Sequence, residues 1–265
     1  MKITFLGTGP SGRIPRPNCK WYVCKEARKP GSKSARLQTS TFFEIEKHNI
    51  LIDATDDFTK QRKLIKNKKI DYVFLTHGHF DAAGGLPQLS KDVKENHAST
   101  TIYAEKQVLK TAVKEISEFN LSFHYIVPEK QIDFSAQGGP ASGWKVTPFR
   151  VEHSFNPKFP TLGYIFQIGK KRVIYASDFK IIPPESKKLI KNADLAILDC
   201  AAYNRPIPTH QSLPEVLKFI KELNFKKVYL TQVGIAWPHY ELAQKIVSKQ
   251  SKNIFLAYDG FKIKI

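Results

Sequence analysis

The chain has 265 residues, 42% of them apolar, which is enough to bury a sizeable core. Forty-two Lys and Arg against 24 Asp and Glu leave a charge of +18, which attracts polyanions and admits a phosphorylated small molecule or a nucleic acid as partner, although the lysine runs at 63–69 and 187–191 suit solvated faces equally well. No stretch of eighteen apolar residues argues for a membrane span, the first residues lack a secretory apolar core, and Cys19, Cys24 and Cys200 are too few and too odd for a disulfide framework, so a cytoplasmic home is expected.

In chain order, the short β-branched runs predict strands at 2–6, 39–46 and 49–53, then a helix over 56–67 that opens after Asp56. Strands at 71–76 and 100–103 follow. A helix over 105–118 is read from Val108, Leu109, Ala112, Val113 and Ile116 at helical spacing. Strands at 123–127 and 144–151 flank a Gly/Pro-rich loop at 137–143, and strands at 162–168, 172–176 and 194–199 come next. Ser212-Leu213-Pro214-Glu215 is a capping box with Pro just inside it, predicting a helix over 213–223. A strand at 227–231, a helix over 240–250 and strands at 253–257 and 261–265 complete the chain.

No linker-like segment divides the sequence, so 1–265 is expected to be a single domain. Both halves carry many strands and few helices. Two sheets packed on each other with helices on both outer faces, a four-layer αββα sandwich of the α/β class, satisfies this pattern. A doubly wound parallel sheet needs more regular alternation.

The chemistry concentrates in Thr76-His77-Gly78-His79-Phe80-Asp81-Ala82-Ala83-Gly84-Gly85. A buried strand ends at Thr76, and a turn there lets His77 and His79 converge on one ion, since imidazole is the commonest protein ligand for zinc and similar metals. A lone His-x-His is weak. At a strand end, followed by Asp81 and a Gly pair that lets the next helix pack close, it is strong.

These residues resemble the His-x-His-x-Asp-His signature of the metallo-β-lactamase superfamily. Leu51-Ile52-Asp53-Ala54 is similar to its strand ending in a buried Asp, Val151-Glu152-His153 to its third metal histidine, and Tyr175-Ala176-Ser177-Asp178 to its metal-bridging Asp. Phe5-Leu6-Gly7-Thr8-Gly9, the Asn18-Cys19…Cys24 loop, Leu162-Gly163-Tyr164, Leu198-Asp199-Cys200, Thr209-His210 and Tyr258-Asp259-Gly260 extend the resemblance, over nearly the whole chain, to the phosphoribosyl 1,2-cyclic phosphate phosphodiesterases of phosphonate catabolism.

The resemblance implies a metallo-β-lactamase fold and a divalent metal, zinc or manganese, held by His77, His79, Asp81, His153 and Asp178. It implies catalytic roles for Asp81, Asp178 and His210; Asp53, a buried carboxylate at a strand end, is expected to orient a metal-binding histidine through its other ring nitrogen. Two departures fall on one metal position: Ala82 stands where the signature has His, and Gln232 where a last His follows Leu-Thr. One tight metal is therefore expected, with a second weak or absent. The family's structural zinc is not expected either, because Trp21 and Ile235 replace two of its ligands, leaving Cys19 and Cys24 as free loop thiols and Cys200 as packing.

His210 is expected to handle the phosphate, with Arg205 assisting. His239 reads as a surface residue rather than a replacement ligand, His48, His97 and His124 as structural, and Ser154 as no nucleophile. The leading function is a metal-dependent hydrolase, a phosphodiesterase acting on a small phosphodiester, a cyclic one by resemblance, in which a metal-bound hydroxide attacks phosphorus and His210 protonates the leaving oxygen. The rivals are a tRNA 3′-processing type of nuclease, a thioester or lactam hydrolase, and a non-catalytic metal- or anion-binding descendant. Oligomeric state is not readable.

Overall fold

The computed structural model describes residues 1–112, 120–134, 143–156 and 159–265. The end of the expected 105–118 helix and most of the 137–143 loop lie outside them. Fourteen strands among the described residues form two seven-stranded sheets. The first contains β1 (Lys2–Gly7), β2 (Ser40–Ile45), β3 (His48–Ile52), β4 (Tyr72–Phe74), β5 (Thr101–Ala104), β6 (Ser122–Tyr125) and β14 (Lys262–Lys264), in the order β14-β1-β2-β3-β4-β5-β6. The second contains β7 (Ile132–Asp133), β8 (Trp144–Val151), β9 (Thr161–Ile168), β10 (Lys171–Ala176), β11 (Leu195–Asp199), β12 (Val228–Thr231) and β13 (Ile254–Leu256), in the order β13-β12-β11-β10-β9-β8-β7.

Both sheets share one plan. An antiparallel meander, β1-β2-β3 or β8-β9-β10, runs into three parallel strands, β4-β5-β6 or β11-β12-β13. Parallel strands need covered crossovers, and the helices supply the cover. They are α1 (Tyr22–Ala27), α2 (Phe58–Leu64), α3 (Phe80–Ala83), α4 (Leu86–Glu95), α5 (Lys106–Ala112), α6 (Pro184–Ile190), α7 (Leu213–Leu223) and α8 (Tyr240–Gln250).

Alternation along each strand sorts the side chains into layers. In β2, Phe43 enters the core between the sheets, while Phe42 faces the layer under α2 and α4. In β11, Leu195 and Ile197 face between the sheets, while Ala196 and Leu198 meet the α6–α8 layer. Phe43 stacks on Phe166 of the opposite sheet with centroids 4.7 Å apart, and Phe166 meets Phe74 edge-on at 5.7 Å. Each fully buried side chain of this kind contributes about 1.5–3 kcal/mol. The result is the expected αββα sandwich, with both sheet faces buried.

The thirteen strands read from sequence are all present, with ends that match or shift by one or two residues. The capping box at Ser212 and Glu215 forms as expected and starts α7. The two-residue β7 and helices α1, α3 and α6 carry too short a periodic pattern to be read. Cys24 lies buried in α1 rather than in a loop. Gly85 shows why a Gly pair follows the histidine turn: its N–H bonds the Ala54 carbonyl at 2.7 Å, and a Cβ there would collide with the Thr55 carbonyl.

Candidate metal centre

The C-terminal ends of β3, β4, β10, β11 and β12 meet at one end of the sandwich and deliver Asp53, His77, Asp178, Asp199 and Gln232. His79 caps the start of α3, Asp81 lies within it, and His153 follows β8. The structure brings all five expected metal ligands together. The ligand nitrogens of His77, His79 and His153 all lie within 4.8 Å of one another. Asp81 Oδ1 is 4.0 Å from His77 Nε2, and Asp178 Oδ1 is 3.9 Å from His153 Nε2.

Outer contacts fix which nitrogen of each ring faces inward. Both carboxylate oxygens of Asp53 are taken by Thr76, one by its backbone N–H and one by its hydroxyl, each at 2.8 Å. The Thr76 hydroxyl has spent its proton on Asp53, so it accepts from His77 Nδ1, also at 2.8 Å. His77 Nε2 is left with a lone pair pointing inward. His153 Nδ1 donates to the Thr209 carbonyl at 3.1 Å, with the same consequence. Asp53 thus acts on His77 through Thr76, a relay that the sequence reading assigned to direct contact.

Burial, countered only in part by Asp178, pushes His77 down to about 3, and His153 and His79 add to the shift. The ring is therefore neutral and able to ligate. Burial alone would raise Asp178, but His77, His153 and His210, together with the Ser177 hydroxyl 2.6 Å away, hold it down at about 2. Burial and the neighbouring Asp178 push Asp81 up to about 6.

A divalent cation fits this donor set. His77 Nε2 is buried with no partner among the described residues, a state that costs about 1–3 kcal/mol when left unsatisfied. Four carboxylates, Asp53, Asp81, Asp178 and Asp199, crowd the site, and the only basic side chains paired with them among the described residues are imidazoles. Three imidazoles and a carboxylate make a full zinc-type set.

The second metal position does not fit. Ala82 is buried and offers no donor. Gln232, also buried, turns its amide N–H onto Asp178 Oδ1, and its Oε1 faces the Thr39 hydroxyl at 3.2 Å. An N–H cannot ligate a metal.

His210 stands against His153, ring centroids 4.5 Å apart. Its Nδ1 bonds Asp199 Oδ2 at 2.7 Å. Burial would lower His210, but the Asp199 carboxylate outweighs it and pushes the ring up to about 9. Asp199 is itself fixed by the N–H groups of Phe179 at 3.0 Å and Ala201 at 2.9 Å. The sequence reading missed this role; the signal was an Asp ending a strand, as Asp53 and Asp178 nearly do.

Arg205, expected to assist, is exposed and does not line the cleft of about 410 Å³ over the centre, which His79, Asp81, His153 and His210 do line. His239 bonds Glu241 at 2.9 Å and packs on Tyr22, so it is no replacement ligand. His48 packs on Tyr72 and Trp144, and His124 on Tyr103. Cys19, Cys24 and Ile235 pack in one small apolar cluster, which occupies the place the resemblance gave to a structural zinc.

The family model described as beta-lactamase superfamily domain matches residues 48–231, a stretch that holds Asp53, His77, His79, Asp81, His153, Asp178, Asp199 and His210. The chain belongs to the metallo-β-lactamase superfamily. A diphosphatase from the PhnP family superposes with a TM-score of 0.82 at 25% identity, covering 100% of this chain and 97% of that one. Zinc-bound PqqB from Methylobacterium extorquens gives 0.80 at 17% identity over the whole of both chains, a likeness of fold. An octanoyltransferase of Porphyromonas gingivalis is 26% identical over 99% of this chain, which spans only 51% of that relative's length. Among the described residues no helix is long and apolar enough to cross a membrane.

Proposed function

We propose that this member of a superfamily of metal-dependent hydrolases is a phosphodiesterase that acts on a small phosphodiester, a cyclic one by its resemblance to the phosphoribosyl cyclic phosphodiesterases. The observation that carries this reading is the Asp199–His210 pair, a positive charge and proton donor lining the same cleft as His79 and His153 of the histidine cluster. An anionic phosphoryl group between His210 and a divalent cation held by the histidines would meet positive charge from both sides. The PhnP-family diphosphatase, similar along the whole chain, supports phosphorus chemistry.

In this reading His77, His79, His153 and Asp178 hold one divalent ion, zinc or manganese, with Asp81 beside it. When bound, such an ion supplies Lewis acidity and lowers the pKa of water toward neutrality. Asp81 and Asp178 orient the attacking water, and one of them takes its proton. His210 Nε2, opposite the nitrogen held by Asp199, binds a phosphoryl oxygen and gives its proton to the leaving oxygen. Asp53, through Thr76, keeps His77 in the ligating tautomer. Gln232 takes the place of a second ion by hydrogen-bonding Asp178.

The test joins elemental analysis of protein purified without chelator to an ester panel run with zinc, manganese and magnesium. About one metal per chain and turnover of small phosphodiesters are expected. The charge of +18 favours a second reading, a nuclease. It forecasts RNA or DNA cleaved faster than small esters, with rates falling steeply as salt rises. Inert small phosphodiesters under every metal, beside an active nucleic acid or thioester, would sink the leading reading.

A further inference from the structure

The chain's three cysteines fall into two unlike places. Cys200 is buried in the core of the α6–α8 layer, and that burial pushes its thiol well up. Cys19 and Cys24 pack together where the loop before α1 runs into the helix. Cys24 is buried within α1. Cys19 is only half-buried, and its chain neighbours Asn18, Lys20, Trp21 and Tyr22 are all exposed, so small molecules in solution have access to it.

The pair is held together and held beside positive charge. Arg28 Nη1 donates to the Cys19 carbonyl at 2.9 Å and to the Cys24 carbonyl at 3.2 Å, and its Nη2 to the Arg16 carbonyl at 3.1 Å. One guanidinium thus ties the backbone at both cysteines. The Cys24 thiol hydrogen-bonds the Cys19 sulfur. Burial would raise Cys19, but that bond, the Trp21 N–H and the charges of Arg28 and Arg16 outweigh it and bring the thiol down. Burial raises Cys24, and the neighbouring Cys19 adds to the shift. From Arg13 to Lys33 the only acidic residue is Glu26, which pairs with Lys29 at 2.7 Å. A partly exposed thiol in electropositive surroundings is the reactive kind, whereas a buried one such as Cys200 is inert.

We infer that Cys19 and Cys24 form a redox-modification site, which a hydroperoxide closes into a disulfide with Cys19 attacking and Cys24 resolving, and which a small thiol reopens. The Cys19 sulfur attacks the peroxide, the O–O bond breaks, and the departing oxygen takes the Cys19 proton, leaving a sulfenic acid. The Cys24 sulfur then attacks that sulfur, the S–O bond breaks, and water leaves with the Cys24 proton. Two thiols lose two electrons and the peroxide gains them. The bridge ties α1 to the loop whose Ser11 lines the cleft, yet it uses none of the residues assigned to the metal. The inference is independent of the phosphodiesterase reading.

The deciding experiment treats the folded wild-type protein with a slight excess of hydrogen peroxide, then alkylates it in denaturant and weighs it. The free thiols should fall from three to the single thiol of Cys200, and the mass before alkylation should drop by two hydrogens. Dithiothreitol should restore both thiols. Trypsin cuts after Lys20, between the two cysteines, so the bridge should appear as a Cys19 peptide joined to a Cys24 peptide. In Cys24→Ser, dimedone should trap a sulfenic acid on Cys19; in Cys19→Ser, Cys24 should stay reduced. The bound metal, measured on the same oxidised wild-type sample, should not change. Three thiols that survive the peroxide overturn the inference, as does a bridge to Cys200 or between two chains. Oxidation of Cys24 in Cys19→Ser as fast as closure in the wild type overturns the assignment of Cys19 as the attacking thiol. The central readout needs no substitution, so a variant that fails to fold leaves the test intact.

Discussion

Replacing Asp199 by Asn tests the proposed proton donor without touching it. The substitution keeps the size of the side chain and, with its oxygen in the place of Oδ2, the acceptor for Phe179 and His210; it gives up the bond from Ala201 and removes the charge that favours the His210 imidazolium. That charge is what carries His210 from 6.5 to about 9 against burial. Without it, burial is opposed only by Asp178 and Asp81, and the ring falls back toward its ordinary range. A proton donor works only while protonated, so activity persists below its pKa and is lost as pH rises through it. A full return to the ordinary 6.5 sets the limit: from about 9, the protonated fraction near pH 8 would fall from about 0.9 to about 0.03, a loss of up to about 30-fold, whereas near pH 6 the two differ by less than about twofold.

The assay is the pH–rate profile of kcat for two phosphodiesters, one losing p-nitrophenolate and one losing a simple alkoxide. The aryl oxygen leaves as a stable anion and needs little protonation, so the alkaline loss should appear mainly with the alkyl ester. The same pair contributes folding stability that is full below 6.5 and lost as pH rises through about 9. The melting temperatures of wild type and Asp199→Asn should accordingly converge in alkali. A loss equal at every pH and for both leaving groups would refute the reasoning, because a merely positional defect behaves that way.

Thr76→Val preserves shape and cuts the relay from Asp53, so metal affinity measured by chelator competition should fall about 10–100-fold; unchanged affinity would show that Asp53 does not act through Thr76. Ala82→His with Gln232→His should bring bound metal from one ion toward two by elemental analysis, while Cys19→Ser leaves the content as it was. Phe166→Ala, in the packing between the sheets, should lower urea stability by about 3–5 kcal/mol, and a cost below 1 kcal/mol would mean the sheets repack around the gap.

The strands were legible because both faces of each sheet are covered. Ile50-Leu51-Ile52 is apolar without interruption since Ile50 and Ile52 face the opposite sheet and Leu51 faces the helices. Helices α1, α3 and α6 span only four to seven residues, too few for a helical period to emerge, and α6 begins beside Pro183, which reads as loop. The histidine turn was legible because its ligands are close in sequence. The relay and the proton donor were not, since Asp53 and Thr76 are 23 residues apart and Asp199 and His210 meet across a loop.

The two departures from the superfamily signature make one physical change. Ala82 and Gln232 are far apart in the chain, yet the resemblance assigns both to one metal position, and Asp178 Oδ1 accepts from the Gln232 amide. A second divalent ion there would place two positive charges beside Asp178; the amide supplies one neutral hydrogen bond. Losing that charge leaves the site short of positive potential for an anionic substrate, and His210 is the group placed to supply it. The buried Asp199, held by two backbone N–H groups, keeps His210 charged although burial opposes it. On this view the Asp199–His210 pair carries more of the phosphoryl charge here than it would beside two metals. Asp199→Asn should then cost less in the Ala82→His, Gln232→His background than alone, a coupling that a double-mutant cycle on kcat/KM measures directly.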